Sequence, residues 1–173
     1  RVWDAGCSTG EEAYSLSIIF HEENLSDKCR IYATDINQKV ISEASEGIFN
    51  ITEMAKYTTN YNKSGGKYAF SDYYHAKYQR AIFEDFLKKN IVFSVHNLVT
   101  DGSFNEFNLI VCRNVLIYFD KDLQEKILGL FFQSLKMFGF LALGNKESLF
   151  LSRYSRYFEE VDKTQKIYRK IKE

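Results

Sequence analysis

A short loop near the start of the chain combines residue types that can bind a ligand. The run VWDAGCSTGEE places Gly6 and Gly10 between a strand-like segment and two glutamates. Glycine allows positive φ angles and close backbone approach, so such a loop can wrap around a ligand where a strand ends. The G-x-x-x-G spacing differs from the dinucleotide fingerprint, and no phosphate-loop lysine follows it. We predict a ligand site here, with an ordinary strand-to-helix turn as the alternative.

The two acids that follow the loop, Glu11 and Glu12, restrict the charge of that ligand. They would repel a pyrophosphate at the helix N-terminus, so we expect a ligand that is neutral or cationic at this point. Asp35 ends a second strand-like run, and a carboxylate in that place can accept hydrogen bonds from two ribose hydroxyls. A nucleoside that carries a positive charge fits these observations. S-adenosylmethionine, which has a sulfonium and an amino group, is such a molecule.

Five short motifs in a fixed order resemble those of one enzyme family. The runs STGEEAYS, ATDIN, HNL, CRNVLIYFD and LGNKESL are together similar to the catalytic domain of the chemotaxis-receptor glutamate methyltransferases, the CheR family. The resemblance extends from Arg1 to about Lys170, and we expect residues 1–173 to form that catalytic domain. It implies transfer of a methyl group from S-adenosylmethionine to glutamates on the cytoplasmic helices of chemoreceptors. The products would be a glutamate methyl ester and S-adenosylhomocysteine.

The chain also departs from the family pattern. Ala13 stands where the family usually has a proline, and the run GNKE, from Gly144 to Glu147, replaces a common glycine-histidine-serine-glutamate run. The helical N-terminal domain of the family is expected to be absent from this chain. The tyrosine-rich residues 57–89 occupy the place of a small β-subdomain that docks a receptor's C-terminal peptide in some members. Their sequence differs from that of peptide-binding members, so this partner is not carried over.

Two other functions stay open at this point. The atypical insertion favours a methyltransferase of the same fold that acts on another protein or on a small molecule. A module of a different class, which binds the cofactor without catalysis and signals through the insertion, would also retain the cofactor motifs.

The loop and the first helical turn are assigned to the methionine part of the cofactor. Glu11 is expected to face its cationic groups, whereas Glu12 is expected to be a solvated acid at the helix start. The loop residues expected to contribute are Gly6, Ser8, Thr9 and Gly10.

The nucleoside part is assigned to the ends of two further strands. Asp35 and Ile36 follow the second strand; Asp35 is expected to bind the ribose, and its alternative role is to cap the helix that begins near Asn37. Asn97 and Leu98 end a third strand, where a side-chain amide and a backbone group can read the adenine edge. The alternative for Asn97 is an ordinary turn residue.

The run CRNVLIYF places a fixed cation and an amide, Arg113 and Asn114, at the end of a buried strand. Asn114 is predicted to bind the amino group of the cofactor through its side-chain oxygen, and Val115 to contribute backbone contacts. Arg113 is predicted either to orient the substrate carboxylate bidentately or to pair with Glu11 or Asp4 and hold the loop.

Three further side chains carry groups that could take part in catalysis. Tyr118 is predicted to line the methyl-transfer channel, with core packing as its alternative. Cys7 and Cys112 are expected to be small core residues, because no histidine lies near either of them in sequence. The three cysteines and three histidines of the chain are scattered, so no metal site is predicted.

The elements that must position these residues alternate between short apolar runs and helical stretches. This alternation predicts an α/β, Rossmann-like methyltransferase fold with a mostly parallel sheet, a C-terminal antiparallel hairpin and a small antiparallel insertion. Residues 57–89 are predicted to form that insertion, followed by a short helix. One long helix is predicted over KDLQEKILGLFFQSLKMFG, ending at Gly139. Strands are predicted at RVWDA, CRIYATD, NIVFSVHN, FNLIVCRN and FLALG.

Composition excludes several classes of protein. The chain has 173 residues, 45% of them hydrophobic and 27% charged, and no apolar run approaches the roughly 18 residues of a membrane span, so a soluble globular protein without membrane insertion is expected. With 23 basic and 23 acidic residues, nothing directs it towards nucleic acid. The cysteines form no C-x-x-C pair, as expected for reduced thiols in the cytoplasm. The sequence predicts no oligomeric state.

Overall fold

The computed structural model describes all 173 residues, which form a seven-stranded sheet covered by helices and a separate three-stranded sheet. The strands are β1 Val2–Ala5, β2 Ile31–Asp35, β3 Ile48–Asn50, β4 Tyr74–Lys77, β5 Arg80–Phe83, β6 Ile91–Val95, β7 Phe107–Cys112, β8 Leu135–Leu143, β9 Phe158–Asp162 and β10 Ile167–Lys170. The helices are α1 Glu11–Glu22, α2 Gln38–Glu46, α3 Met54–Lys63, α4 Asp85–Lys88 and α5 Lys121–Ser134. No helix combines the length and the apolar character that crossing a bilayer requires.

The large sheet has the strand order β6-β2-β1-β7-β8-β10-β9. Its first five strands are parallel, and β10 pairs antiparallel with both β8 and β9. This arrangement confirms the predicted α/β fold with its C-terminal antiparallel hairpin. The strand order reverses at β1, because the chain places β2 on one side of it and β7 on the other. In open α/β sheets the crevice at such a reversal, beyond the carboxyl ends of the strands, is where ligands bind.

The central strand β1 is buried on both faces. Trp3 is inaccessible and packs with Phe131 of α5 on one face, whereas Val2 belongs to the cluster of Tyr14 and Ile18 from α1 on the other. Continuous burial of this kind is typical of a parallel sheet that carries helices on both sides. It fixes the position from which the loop after β1 departs.

Local capping signals define both ends of helix α2, which begins near Asn37 as predicted. The side chain of Asn37 accepts a hydrogen bond from the Lys39 N–H at 2.9 Å, and Gly47 ends the helix with φ 66°. Both are ordinary devices at helix ends.

Helix α5 is shorter than predicted, because it ends at Ser134 and the chain enters β8 at once. Leu135 pairs with Phe107 of β7 and is buried beside it. Phe138 then adopts φ 63°, and the pairing resumes between Leu109 and Phe140. The apolar residues keep helical spacing beyond Leu135, but burial of Leu135 against the neighbouring strand ends the helix before it.

The insertion also differs from its prediction. Residues 54–63 form helix α3, and the antiparallel sheet has the order β3-β5-β4, with β3 lying before residue 57. The short helix at the end is present as α4. Polar residues obscure the helical period of α3, in which Tyr57 and Tyr61 are spaced to lie on one face.

Helix α3 and the segment after it are attached to α1 through one carboxylate. Glu22 accepts hydrogen bonds from the hydroxyls of Tyr61 and Tyr73, and its contact with the backbone N–H of Lys67 measures 3.2 Å. This attachment holds α3 opposite α1.

Candidate functional site

A cleft of about 810 Å³ lies between α1 and α3, at the carboxyl ends of β1 and β7. Its volume is in the usual range of small-molecule sites. The residues that line it near the sheet are Gly6, Cys7, Glu11, Glu12, Arg113 and Asn114. The opposite wall includes Tyr57, Asn60 and Tyr61 from α3.

The loop after β1 has an unusual backbone conformation and is fixed by hydrogen bonds to β2. Gly6, Ser8 and Gly10 have φ angles of 85°, 49° and 96°, all in the left-handed region. The N–H groups of Gly6 and Cys7 both donate to the carbonyl of Thr34, at 2.8 and 2.9 Å. The loop is thereby fixed to the end of β2, which supports its interpretation as more than a connecting turn.

Gly6 is also where two distant segments meet. A Cβ atom at this position would overlap Cγ2 of Val115, which follows β7. The missing side chain therefore lets the segment after β7 pack directly on the loop after β1. Val115 has this packing role in addition to its predicted one.

Asp35 lies at the end of β2 beside that loop. Its Oδ2 accepts from the Ser8 N–H and its Oδ1 from the Asn37 N–H, each at 3.0 Å. Because a carboxylate oxygen can accept more than one hydrogen bond, both retain capacity for a ligand hydroxyl. Asn37, and not Asp35, caps α2, so the alternative role for Asp35 is wrong. Ile36, next to it, is exposed.

The carboxyl group of Asp4 was missed as a candidate beyond its possible pairing with Arg113. It is fully buried, and neither oxygen has a hydrogen-bond partner. Burial raises its pKa well above the usual value, and the nearby charges of Glu12, Asp35 and Glu11 raise it further. An unpaired buried carboxyl group amid other acids is stabilised by a cationic or hydrogen-bond-donating ligand. The signal available in the sequence was an acid inside a buried strand.

Arg113 pairs with a residue that was not expected as its partner. Its Nη1 donates to Oε1 of Glu12 at 3.0 Å, and no contact with Glu11 or Asp4 is present among its ion pairs. Glu12 is therefore not a solvated acid, and that prediction is wrong. Burial raises the pKa of Glu12, although the Arg113 guanidinium opposes the shift.

Glu11 is exposed and accepts a hydrogen bond from the Thr9 hydroxyl, with oxygen-oxygen distances of 2.7 and 2.9 Å. Burial raises the pKa of Tyr57 to about 12, and the charges of Glu11 and Glu53 contribute. Tyr57 thus faces Glu11 from the α3 wall. It was missed because α3 was predicted as part of an antiparallel sheet.

Asn114 follows Arg113 with φ 59°. Its backbone N–H donates to Glu147, a buried acid that was noted in the sequence only as part of the run GNKE. The place of Glu147 shortly after the buried strand β8 does not indicate this contact, which joins residues 33 positions apart in the sequence.

Of the predicted site residues, only Gly6, Glu11, Arg113 and Asn114 line this cleft. The others lie outside it, namely Ser8, Thr9, Gly10, Asp35, Ile36, Asn97, Leu98, Val115 and Tyr118. The Asn97 side-chain oxygen accepts from the Val99 N–H at 2.9 Å, as in the turn alternative, and Leu98 is buried in the core. Both follow β6, which neighbours β2, and the His96 N–H donates to the Asp35 carbonyl at 3.0 Å. They therefore share one edge with Asp35, and their adenine role stays a prediction. Tyr118 is 81% exposed, so core packing is wrong for it, and it does not line the cleft.

The arrangement fits S-adenosylmethionine. The charges of Glu11, Glu12 and Asp35 are close enough to raise the pKa of Asp4. The loop Gly6–Gly10 brings left-handed backbone to the same place. Such a site favours a cation and disfavours a pyrophosphate. Glu11 and the loop backbone would hold the methionine part, and Asp35 the ribose, whereas Asp4 is inaccessible and does not line the cleft.

Comparison with known proteins agrees with this chemistry. A family profile described as "CheR methyltransferase, SAM binding domain" matches residues 1–167. The chain is 50% identical over 170 residues to a protein of Pseudomonas putida named "Putative methyltransferase Cher3", covering 98% of this chain and 62% of that protein. It is 35% identical over 159 residues to a "Chemotaxis protein methyltransferase" of Borreliella burgdorferi, covering 86% and 52%. The chain thus spans between half and two thirds of these relatives.

Two solved structures match most of this chain at low sequence identity. An S-adenosylmethionine-dependent methyltransferase from Mesorhizobium loti matches with a TM-score of 0.47 and 14% identity, covering 83% of this chain and 45% of that chain. PKMT2 from Rickettsia typhi, in complex with AdoHcy, matches with a TM-score of 0.48 and 15% identity, covering 82% and 20%.

Proposed function

Because the chain belongs to the CheR methyltransferase family, we propose that it transfers the methyl group of S-adenosylmethionine to glutamate side chains on the cytoplasmic helices of chemotaxis receptors. The products are a glutamate methyl ester and S-adenosylhomocysteine. The reaction takes place in the cytoplasm, where those helices lie. The cofactor follows from the family, whose matching domain is its S-adenosylmethionine-binding domain.

The observation that carries the proposal is the position of Arg113. It leaves the end of β7 beside the glycine loop, lines the cleft and keeps its guanidinium partly exposed. A guanidinium at that place can bind an acceptor carboxylate through paired N–H groups. Only one of its nitrogens is engaged, by Glu12.

No general base is required for this chemistry. A glutamate carboxylate has a pKa of about 4.3 in model peptides and is already ionised at neutral pH. When bound, the cofactor supplies an electrophilic methyl group on a sulfonium. The acceptor oxygen forms the new bond to the methyl carbon while the sulfur-carbon bond breaks, and the electron pair stays on sulfur.

The contribution of the protein is therefore alignment and exclusion of water. Holding two reactants in line can supply on the order of 7 to 11 kcal/mol. The loop Gly6–Gly10, Asp35 and Asn114 position one partner, and Arg113 positions the other. The α3 wall lies opposite them and would shield one side of the acceptor carboxylate from bulk water, which would increase its reactivity.

A second function, methylation of a different acceptor by the same chemistry, is favoured by the α3 wall. Tyr57, Asn60 and Tyr61 line the cleft from α3, so residues of the insertion contribute to the surface that an acceptor would meet. The non-catalytic alternative has no observation in its favour.

The test is transfer of a tritiated methyl group to receptor cytoplasmic fragments. We expect base-labile label on glutamate, which is the behaviour of a methyl ester. A receptor fragment with its target glutamates changed to glutamine serves as the negative control. Absence of label, with S-adenosylhomocysteine bound in calorimetry and a chemotaxis methyltransferase active on the same fragments, would reject the receptor as acceptor.

A further inference from the structure

Glu147 carries a buried carboxylate that accepts four backbone N–H groups. Its side chain is 5% exposed. Oε1 accepts from Val115 and Leu116, both at 2.8 Å, and Oε2 accepts from Asn114 at 3.1 Å and Gly144 at 2.6 Å. None of the ion pairs in the structure includes Glu147. Its bonding therefore comes from backbone dipoles, which can form an anion-binding concavity.

The backbone that Glu147 holds is the segment that follows Arg113. Arg113 and Asn114 line the cleft, whereas Glu147 does not. Asn114 has φ 59°, a conformation that few non-glycine residues adopt. The bond from its N–H to Glu147 keeps it there, and this conformation sets the direction in which the chain turns immediately after Arg113.

The packing around the carboxylate leaves it little freedom. A Cβ atom on Gly144 would lie 2.6 Å from Oε2 of Glu147 and 2.8 Å from the Asn114 nitrogen. Leu116 is buried in the core, and Val115 packs on Gly6. The carboxylate thus joins the end of β8 to the segment after β7 at the edge of the cleft.

We propose that Glu147 is a positioning residue for methyl transfer, which by fixing Asn114–Leu116 aims the Arg113 guanidinium at the acceptor carboxylate. This inference rests on the proposed function. Glu147 touches neither substrate nor cofactor in it and acts through Arg113.

The variant that isolates this role is Glu147→Gln. Glutamine has nearly the same shape, but its NH₂ group donates and cannot accept. One pair of backbone N–H groups therefore loses its acceptor, and the remaining pair loses the charge that strengthens it. Glu160→Gln is the matched control, because Glu160 is exposed on β9 and undergoes the same chemical change.

We expect Glu147→Gln to lower kcat/KM for the acceptor at least tenfold and Glu160→Gln to leave it unchanged. The decisive comparison is a double-mutant cycle with Arg113→Ala. If Glu147 acts through Arg113, Glu147→Gln causes no further loss in the Arg113→Ala background. An equal fold-loss in both backgrounds would indicate a general structural role and overturn the proposal.

A second measurement does not depend on turnover. Amide hydrogen exchange of residues 114–116 is expected to be at least tenfold faster in Glu147→Gln than in the wild type, and unchanged exchange would overturn the proposal. Should Glu147→Gln not fold, Gly144→Ala displaces the carboxylate with a methyl group and is expected to accelerate the same amides. If the wild-type chain is inactive but amide hydrogen exchange is faster in the variant, the proposed function is rejected. Catalytic positioning by Glu147 is then rejected as well, and only its contact with the backbone is supported.

Discussion

The guanidinium of Arg113 donates to the Glu12 carboxylate at 3.0 Å, and both residues line the cleft. A single nitrogen makes this contact, and a guanidinium carries five N–H groups. Under the proposed function, an acceptor carboxylate would bind the remaining donors and compete with Glu12 for the same positive charge. Its ester product would be uncharged and would compete less well, so the ion pair would favour product release.

Arg113→Ala is expected to lower kcat/KM for the acceptor by roughly 10- to 150-fold. This fold-change corresponds to the free energy of a hydrogen bond to a charged group, about 1.5–3 kcal/mol. S-adenosylhomocysteine affinity, measured by calorimetry, should stay near that of the wild type. Arg153→Ala, which removes an exposed arginine that pairs with Glu125, is the control. Equal losses in cofactor affinity and in acceptor kinetics would contradict an acceptor role.

Glu12→Gln removes the competing charge and keeps the shape of the side chain. We expect the KM for the acceptor to fall by up to about fivefold, the range of partly exposed ion pairs. Steady-state kinetics at saturating cofactor measure this change. A rise in KM would show that Glu12 orients Arg113 more than it competes for it.

Asp35→Asn is expected to weaken S-adenosylhomocysteine binding by about 10- to 150-fold, because the amide loses the charge that strengthens bonds to hydroxyls. The NH₂ group of the new asparagine also faces the backbone N–H of Ser8 or Asn37, from which it cannot accept a hydrogen bond. Calorimetry measures the affinity. Asp27→Asn makes the same change at an exposed position and should have no effect; comparable weakening in both variants would argue against a ribose contact.

Asp4→Asn is expected to stabilise the ligand-free protein, because Asp4 is a buried carboxyl group without a hydrogen-bond partner. Burial raises the Asp4 pKa in the folded state, so the unfolded state loses this proton more readily, and stability decreases as pH rises above the unfolded pKa. The melting temperature of the variant should therefore exceed that of the wild type by a margin that widens from pH 5 to pH 8. A margin independent of pH would show that ionisation of Asp4 is not involved.

Gly6→Ala is expected to destabilise the protein by about 2–5 kcal/mol, since left-handed backbone costs about 1–2 kcal/mol and overpacking about 1–3 kcal/mol. Gly65 has the same φ of 85°, but nothing lies within 4 Å of a Cβ placed there. Gly65→Ala therefore isolates the backbone cost. Denaturant unfolding measures both, and equal losses would mean that contact with Val115 is unimportant.

The parts of the fold and site that were predictable depend on local signals. The apolar run of β1, the glycine loop after it and the Asn37 cap of α2 are each specified by a few adjacent residues. The errors involve contacts between distant residues. Pairing of Leu135 with Phe107 shortened α5, and Glu12 is half-buried because Arg113, 101 residues away, meets it. Nothing in the neighbouring sequence of Glu147 indicates that its carboxylate holds the segment after β7.

The contact between Gly6 and Val115 has a consequence for how the protein matures. The loop proposed to bind the methionine part is shaped by a residue from the other half of the chain, so a growing polypeptide cannot complete it until β7 has joined the sheet. Bringing such remote segments together has an entropic cost, and no bound cofactor offsets this cost in early folding intermediates. Free cofactor therefore stabilises the native state and not the folding intermediates that precede it. We expect it to slow unfolding more than it accelerates folding.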